Sequence, residues 1–277
     1  MNTNSNIIIS VIIPTYKPQD YILECLQSLD NQCFDKKMYE VIIVLNGERE
    51  PYYSLIDNFL VRCGFIYKLF YTDIAGVSNA RNIGIEQSNG SYLTFIDDDD
   101  MVSENYLQGL YDIAQNGVVP LSYLKAFVGD ISNTKNYHIT DTYKKMIGKK
   151  LTPFNVRAYF DTSCLKLIPR EIVGKYRFNR KFQNHEDLLF MFAISTKKMK
   201  LQFTDRTAVY YRRIRDNSLT TRSVSFSYII KNHLTMIFIL IMTYLKAPTK
   251  YDFLFFISRL IRFSRGIFTC FFKQKNK

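Results

Sequence analysis

The sequence has few of the residues that build disulfide frameworks and zinc sites. Its five cysteines are an odd number without a C-x-x-C pair, and its three histidines are widely separated. Because most of these cysteines stand among apolar residues, we expect reduced core residues. Neither a disulfide framework nor a zinc site is therefore expected to organise the fold.

Two phosphate-binding loops are also missing. No G-x-G-x-x-G follows the first apolar segment, and no G-x-x-x-x-G-K-[ST] occurs anywhere in the chain. These loops bind pyrophosphate through backbone N–H groups in dinucleotide-binding proteins and P-loop NTPases. Their absence counts against both classes, so a phosphate group would have to be bound by a metal ion or by Arg and Lys side chains.

Long apolar runs are scarce. The N-terminal residues 1–6 are polar and uncharged, and the apolar residues 7–13 that follow are too few for a secretory signal and lack its basic flank. Residues 234–245 form a twelve-residue apolar stretch, whereas a membrane-spanning helix needs about 20. We therefore expect a cytoplasmic protein in which this stretch does not cross a bilayer unaided.

Negative charge is nearly absent from the C-terminal segment. Residues 221–277 contain ten Lys or Arg and one acid, a net charge of +9, against +3 for the rest of the chain. Three arginines recur every three residues beside a broad aromatic face: Arg259, Arg262 and Arg265. This pattern is typical of a helix that lies on an anionic lipid surface. The alternative is two helices that pack on the preceding domain or on a second subunit.

The first hundred residues alternate between apolar, β-branched runs and amphipathic segments. Buried strands are predicted at 7–13, ended by Pro14, at 41–45 and at 92–96, and a further strand at 65–71. Helices are predicted between them, including one at about 77–87. This alternation predicts a doubly wound, mostly parallel α/β sheet, whose ligands bind beyond the carboxyl ends of the strands.

Four consecutive carboxylates follow the fourth predicted strand: Asp97, Asp98, Asp99 and Asp100. Like charges this close repel and raise one another's pKa unless a metal ion or basic groups compensate them. Carboxylate oxygens suit Mg²⁺ or Mn²⁺, and such an ion would bind a diphosphate. The alternative is a solvated acidic turn, or a loop that caps a helix starting near Ser103.

The chain is less regular beyond this point. An amphipathic helix is predicted after Ser103, and residues 118–128 are predicted to be extended. Residues 132–150 are polar and poor in apolar periodicity, which predicts a mobile loop or insertion. Such a loop would be either a lid beside an active site or an ordinary surface loop.

Three segments taken together carry a family resemblance. They are S-V-I-I-P-T-Y at 10–16, G-V-S-N-A-R-N-I-G-I at 76–85 and G-S-Y-L-T-F-I-D-D-D-D at 90–100. In this order they resemble the inverting nucleotide-sugar glycosyltransferases of family 2. The resemblance implies a GT-A fold: a Rossmann-like, mostly parallel sheet flanked by helices. It also implies a catalytic domain at 1–220, with a nucleotide-binding half at about 1–102 and an acceptor half at about 103–220, before a helical tail at 221–277.

The resemblance implies roles on the donor side. The residues that match the family's nucleobase pocket are Pro14, Thr15 and Tyr16. Arg81 matches the arginine that approaches the nucleotide and its diphosphate, where a guanidinium stays charged and offers a fork of donors. Within the acid run, Asp97 and Asp99 fill the D-x-D motif as metal ligands, with Asp97 also placed near the ribose. Asp98 is a further donor-binding candidate.

One position departs from the family. Members often carry an acid after the second strand that hydrogen-bonds the base, whereas this chain has Leu45 followed by Asn46. Leu45 cannot accept a hydrogen bond from uracil, so Asn46 is the expected substitute. The sequence therefore does not identify the nucleobase, and uridine is the first candidate for the nucleoside.

A second acidic motif lies at a predicted helix start. Residues 184–187, N-H-E-D, precede an apolar helical run and resemble the family's E-D motif. Asp187 would be the general base, kept ionised by the helix N-terminus, with Glu186 and His185 on the acceptor side. The alternative is that the two acids only cap the helix.

Residues 210–220 resemble the family's Y-R and N-S segment, which closes over the donor. Arg212 or Arg213 would neutralise the departing diphosphate, and Ser218 would add a hydroxyl donor. Because side chains alternate along a strand, only one of the two arginines is expected to point inward.

The resemblance thus implies a metal-dependent inverting hexosyl- or N-acetylhexosaminyl-transferase that uses Mn²⁺ or Mg²⁺ and a UDP-sugar. Its acceptor would be a glycan or lipid-linked molecule in cell-surface polysaccharide biosynthesis, at the inner face of the cell membrane. One alternative is a nucleotidyltransferase that attacks the α-phosphate. Another is a non-enzymatic basic module for membrane or nucleic acid. We expect no nucleic-acid partner, because such proteins combine basic groups with aromatics exposed along a groove.

Overall fold

The computed structural model describes residues 7–182, 184–215 and 226–275, excluding the side chains of 226–228 and 268–275. Within these residues eleven strands form: β1 Ile9–Thr15, β2 Tyr39–Asn46, β3 Ile66–Thr72, β4 Tyr92–Phe95, β5 Met101–Val102, β6 Val119–Leu121, β7 Tyr123–Val128, β8 Asp130–Lys135, β9 Ile168–Pro169, β10 Leu201–Phe203 and β11 Val209–Arg213. The described helices are α1 Tyr21–Asp30, α2 Tyr52–Leu60, α3 Val77–Gln87, α4 Tyr106–Ala114, α5 His138–Met146, α6 Arg170–Val173, α7 Glu186–Ile194, α8 Phe226–Lys246 and α9 Phe253–Lys275, with a 3₁₀ helix at Arg157–Asp161.

The main sheet has the strand order β3-β2-β1-β4-β9, in which the first four strands are parallel and β9 is antiparallel. Every residue of β1 and β2 is buried, which explains their continuous apolar runs. The predicted mostly parallel α/β sheet is therefore confirmed. The predicted strand 7–13 ends two residues too early, because Pro14 and Thr15 still pair with β2.

The strand order reverses between β1 and β4, and a crevice for ligands opens at such a point. A second, four-stranded sheet has the order β5-β11-β7-β8. Residues 97–100 connect β4 of the first sheet to β5 of the second. The four aspartates therefore lie between the two sheets, beside the crevice.

Helix α3 packs very closely against β1. A Cβ atom added at Gly84 would lie 2.3 Å from Cγ2 of Ile12, a distance that side chains do not tolerate. The glycine thus permits the close approach of the helix to the strand. Because Arg81 lies three residues before Gly84, this approach carries its side chain toward the crevice.

The prediction of a mobile loop at residues 132–150 is wrong. The segment contains most of β8 and all of α5. Ile139 and Tyr143, four residues apart, are buried on one face of α5, and the Tyr143 hydroxyl donates a hydrogen bond to the backbone oxygen of Thr204 at 2.9 Å. Only two of the three buried residues of α5 are apolar, since Thr140 is polar, and two are too few to produce a visible apolar period.

The C-terminal helices pack on the rest of the molecule. Phe255 and Phe263 of α9 are buried, and Asp161 binds both Arg259 at 2.5 Å and Arg262 at 2.7 Å. The predicted lipid-facing stripe of arginines is therefore wrong at Arg259, which is buried. The sequence left open the alternative of two helices that pack on the preceding domain. The structure has this arrangement.

Helix α8 is longer than the twelve-residue apolar stretch had indicated. Its segment Ile229–Lys246 is long and apolar enough to cross a membrane, by length and composition alone, and only 11% of it is buried. The prediction that this stretch is too short to span a bilayer is therefore wrong for the helix as a whole.

The four cysteines whose side chains are described are free, but not all are core residues. Cys25 and Cys164 are buried, Cys63 is partly buried and Cys33 is exposed. The core prediction is wrong for Cys33. Cys270 lies outside the described side chains.

Candidate active site

Three of the four aspartates face the crevice with different partners. Asp97 accepts a hydrogen bond from Arg81 at 3.0 Å. Asp98 accepts one from the hydroxyl of Thr15, at the end of β1. Asp99 forms an ion pair of 2.6 Å with Arg215. The acid run is therefore tied to β1, to α3 and to the segment after β11.

Asp100 is buried and holds β11 in place. Its carboxylate accepts hydrogen bonds from the Tyr210 hydroxyl at 2.7 Å and from the backbone N–H of Arg213 at 2.8 Å. Burial, together with the charges of Asp99 and Asp97, raises the pKa of Asp100. This aspartate joins the two sheets and does not face the crevice.

Burial disfavours the ionised forms of two aspartates near the crevice, Asp98 and Asp99. Burial raises the pKa of Asp98 to about 7, although the hydrogen bond from Thr15 lowers it. Burial and the neighbouring Asp97 also raise the pKa of Asp99, with Arg215 acting in the opposite direction. A cation that entered here would stabilise the ionised forms.

Arg81 is the central cation of the site. Its guanidinium is buried and lies 3.0 Å from Asp97, 2.8 Å from Asp187 and 3.2 Å from Glu186. Burial disfavours its charge, but the carboxylates outweigh that effect, Asp187 first, and raise the pKa of Arg81. One side chain thus joins the D-x-D motif to the E-D motif, which the sequence had placed separately.

Glu186 and Asp187 form the first turn of α7. Burial and the adjacent Asp187 raise the pKa of Glu186 to about 7. Burial also raises the pKa of Asp187, and Arg81 opposes this. The side chain of Asp187 is 16% exposed against 9% for Glu186, so Asp187 is the more accessible to an incoming hydroxyl group.

His185 precedes α7 with a left-handed φ of 64°. Its ring lies 6.0 Å from the ring of His233 and 5.6 Å from that of Phe263, on α8 and α9. The structure thus places this predicted acceptor-side residue beside the C-terminal helices.

The candidate nucleobase side is formed by the ends of β1 and β2. Asn46 is buried; its amide donates to the backbone oxygen of Thr15 at 2.6 Å and accepts from the N–H of Gly76 at 2.8 Å. Pro14 is also buried. Tyr16 is 49% exposed, so its ring is the surface here on which a base would stack.

The two adjacent arginines of β11 have different surroundings. The guanidinium of Arg213 is buried and donates to Glu24 at 2.7 Å and to backbone oxygens of the neighbouring loops. Arg212 lies over the ring of Tyr137 at 5.0 Å. Burial lowers the pKa of Arg212, but Tyr137 and the nearby aspartates raise it on balance. Ser218 lies outside the described residues.

Sequence reasoning missed several residues that shape the site. Arg215, which pairs with Asp99, is part of the same arginine-rich segment, so composition alone could have indicated it. Lys166 had no such signal: it is buried and donates to the backbone oxygens of Tyr159, Thr162 and Cys164 at 2.8, 2.7 and 2.5 Å. Burial lowers its pKa to about 8. It fixes the loop at 159–164.

The fit of the site to a divalent metal depends on its oxygen donors. Within the described residues no group of three or more His, Cys, Asp or Glu is arranged to hold a metal ion. Magnesium, however, is often bound by one or two carboxylates together with substrate phosphates and water. Asp97 and Asp99 supply such carboxylates, so the residues fit an ion that binds together with a diphosphate.

The chain is similar in sequence to known glycosyltransferases. The glycosyl transferase family 2 profile matches residues 10–177, more than half of the chain. Putative glycosyltransferase EpsH of Bacillus subtilis (strain 168) is 26% identical over 224 residues, which are 77% of this chain and 63% of EpsH. Glycosyltransferase GlyG of Streptococcus pneumoniae serotype 4 is 24% identical over 220 residues, which are 74% of this chain and 71% of GlyG.

The crystal structure of Staphylococcus aureus TarS 1–349 in complex with UDP-GlcNAc superposes with a TM-score of 0.75 at 19% identity, over 95% of this chain and 73% of that one. At this identity the likeness shows the fold, which is the GT-A fold. The chain spans about a third of the full TarS sequence, a poly(ribitol-phosphate) β-N-acetylglucosaminyltransferase. Because the family profile covers β1 to α6, and with them the acid run and Arg81, the chain belongs to glycosyltransferase family 2.

Proposed function

We propose that the protein transfers a sugar, with inversion, from a nucleoside diphosphate donor to a hydroxyl group of a glycan or lipid-linked acceptor. The observation that carries the proposal is the contact of Arg81 with both Asp97 and Asp187. It brings the candidate diphosphate site and the candidate base to opposite ends of one guanidinium. A single displacement needs a base and a stabilised leaving group close to the same sugar carbon, and this contact places the two candidate groups close together.

The reaction follows from the charges. Asp187 accepts the proton of the acceptor hydroxyl group while the oxygen of that hydroxyl group bonds to the anomeric carbon. The bond between that carbon and the diphosphate oxygen breaks, and the nucleoside diphosphate leaves with the electron pair. Arg81 and Arg212 bear positive charge beside the acid run, where they would stabilise the departing diphosphate.

The proposed cofactor is Mn²⁺ or Mg²⁺, held by Asp97 and Asp99. Such an ion would neutralise the diphosphate and make it a better leaving group. The position of both aspartates supports the proposal, because they lie in the turn between β4 and β5, beside the crevice. Arg215, which pairs with Asp99, would have to share that carboxylate with the ion.

UDP is the proposed nucleotide. TarS has been crystallised with UDP-GlcNAc and with UDP, and this chain shares its fold. Asn46 already has backbone partners for its amide, so we propose that it shapes the pocket while Tyr16 stacks on the base. Thr15 and Asp98, which bind each other, would lie beneath the ribose.

The proposed acceptor belongs to cell-surface polysaccharide biosynthesis. Relatives by sequence include the minor teichoic acid biosynthesis protein GgaB of Bacillus subtilis (strain 168) and a poly(ribitol-phosphate) β-glucosyltransferase of Bacillus spizizenii. Glu186 and the segment that follows His185 would form the acceptor side, beside the base.

We further propose that the protein acts at the inner face of the cell membrane and contacts it through α8. An exposed apolar stripe follows this helix: Leu234, Phe238, Met242 and Leu245. Exposed lysines, Lys231 and Lys246, lie near its two ends. Apolar side chains flanked by basic groups favour an anionic bilayer surface.

Thermal unfolding with a panel of nucleotide sugars tests the function. A donor that binds only the folded protein raises the melting temperature, and we expect a UDP-sugar to do so in the presence of Mn²⁺. The shift should disappear in Asp99→Asn and persist in the control Asp112→Asn, an exposed aspartate of α4. Release of inorganic diphosphate in place of UDP during turnover would contradict sugar transfer and indicate a nucleotidyltransferase.

A further inference from the structure

A second cavity of about 910 Å³ lies apart from the acid run. Its walls are residues 147–153, which follow α5, and residues 197–205, which follow α7. Asp187 is in the first turn of α7, whereas the cavity begins beyond the last turn. Nine residues of helix place these two ends about 13 Å apart. The cavity is therefore separate from the proposed transfer site.

The cavity is strongly basic. Five lysines line it: Lys149, Lys150, Lys197, Lys198 and Lys200. In the part of the chain that the structure describes, none of the five forms an ion pair with an acid. The one acid that lines it, Asp205, accepts hydrogen bonds from the N–H and hydroxyl of Thr207. Several positive charges around one cavity raise the local potential, which attracts a multivalent anion.

The cavity also has an apolar floor. It is lined by Leu151, Leu201 and Phe203, with the ring of Tyr143 4.6 Å from that of Phe203. A single phosphate would use only part of a space this large, whereas a chain of carbon units with recurring anionic groups would contact both floor and rim. A bilayer surface does not enter a recess, and nucleic acid would need exposed rings, while Tyr143 is buried.

We propose that this cavity binds a phosphate-bearing acceptor chain, holding a segment distant from the hydroxyl group that receives the sugar. The lysines would bind its phosphates, and the apolar floor would contact its carbon skeleton. The identification of the ligand as the acceptor rests on the proposed function; the binding of phosphate groups in the cavity does not.

Calorimetric titration with tripolyphosphate in excess UDP tests the cavity without turnover. The variant Lys150→Ala/Lys198→Ala/Lys200→Ala removes charge from both walls, and Lys37→Ala/Arg62→Ala removes exposed charges from the nucleotide-binding half. We expect at least tenfold weaker binding and a smaller salt dependence in the cavity variant, with wild-type binding in the control. Melting temperatures would show that both variants are folded.

The same experiment has outcomes that overturn the proposal. Wild-type affinity in the cavity variant, or an equal loss in the control, would do so. So would unchanged tripolyphosphate binding accompanied by lost binding to phosphatidylglycerol vesicles or to a single-stranded oligonucleotide. A separate UDP titration of the wild type reports the donor site: its failure would refute the proposed function and leave the cavity result standing.

Discussion

The guanidinium of Arg81 lies 2.8 Å from the carboxylate of Asp187, although 106 positions separate them in the chain. The other end of the same guanidinium lies 3.0 Å from Asp97. Charge at the candidate diphosphate site and charge at the candidate base are therefore balanced by one buried cation. A ligand that draws Arg81 toward one of them changes the electrostatics of the other.

Replacing Arg81 by methionine is expected to destabilise the fold and abolish donor binding. Three buried or half-buried carboxylates would lose their shared cation, and breaking such buried pairs costs about 3–5 kcal/mol. Urea unfolding and a UDP titration measure the two effects. In the control Arg177→Met, whose partner Glu86 lies 3.5 Å away at the surface, the change should stay within about 1 kcal/mol. An Arg81 variant as stable as this control would contradict the role of Arg81.

Replacing Asp187 by asparagine is expected to lower turnover by about 10²- to 10⁴-fold, the usual contribution of a general base. Donor affinity should fall far less than turnover, because the base contacts the acceptor and is linked to the donor site only through Arg81. Steady-state release of UDP and calorimetric donor binding separate these effects. Asp141→Asn, an exposed acid of α5, is the matched control. Loss of donor affinity as large as the loss of turnover would show that Asp187 serves the donor site.

Glu186 is expected to make the protein less stable as pH rises. Burial raises its pKa from 4.5 to about 7, so between these values the folded state binds more protons than the unfolded state. The free energy of unfolding then falls as pH increases from about 4.5 to about 7, by about 3 kcal/mol for this group.

Urea unfolding at pH 5 and pH 8 checks this pH dependence. The variant Glu186→Gln has no proton to lose, so its stability should change less between the two pH values than that of the wild type. Glu86→Gln, at an exposed position, should behave like the wild type. An unaltered pH dependence in Glu186→Gln would contradict the assignment.

The apolar stripe of α8 is expected to bind membranes. Phe238 and Leu245 are each 62% exposed, and burying such a side chain contributes about 1.5–3 kcal/mol. The variant Phe238→Glu/Leu245→Glu should bind phosphatidylglycerol vesicles at least tenfold more weakly in a co-sedimentation assay. The control Val128→Glu/Ile131→Glu changes exposed apolar residues of β7 and β8. Equal vesicle binding by all three proteins would exclude α8 as the contact.

The sequence predicted the main sheet well because a parallel strand covered on both faces must be apolar throughout. The runs that became β1 and β2 had this character, and the helix predicted at about 77–87 matches α3, Val77–Gln87. The acid run also gave a clear signal, since four adjacent carboxylates need compensation. These features depend on neighbouring residues, so they are visible in the linear order.

The rest of the site depends on contacts between distant segments. Nothing near Arg81 in the sequence indicates that it binds Asp187, and nothing near Lys166 indicates that it holds three carbonyl groups. The orientation of His185 depends on α8 and α9, which no local pattern places. Helix α5 was missed because its two anchoring residues give too weak a period among polar neighbours.

Gly84 sets how deeply the arginine of α3 reaches into the molecule. Because Gly84 has no side chain, the helix packs directly against Ile12. The methyl group of an alanine would overlap with Ile12 and displace the helix from the strand. Arg81, one turn away, would be withdrawn from both acidic groups without being altered itself. A position that touches no reactant thereby determines whether the two halves of the proposed reaction share a counterion.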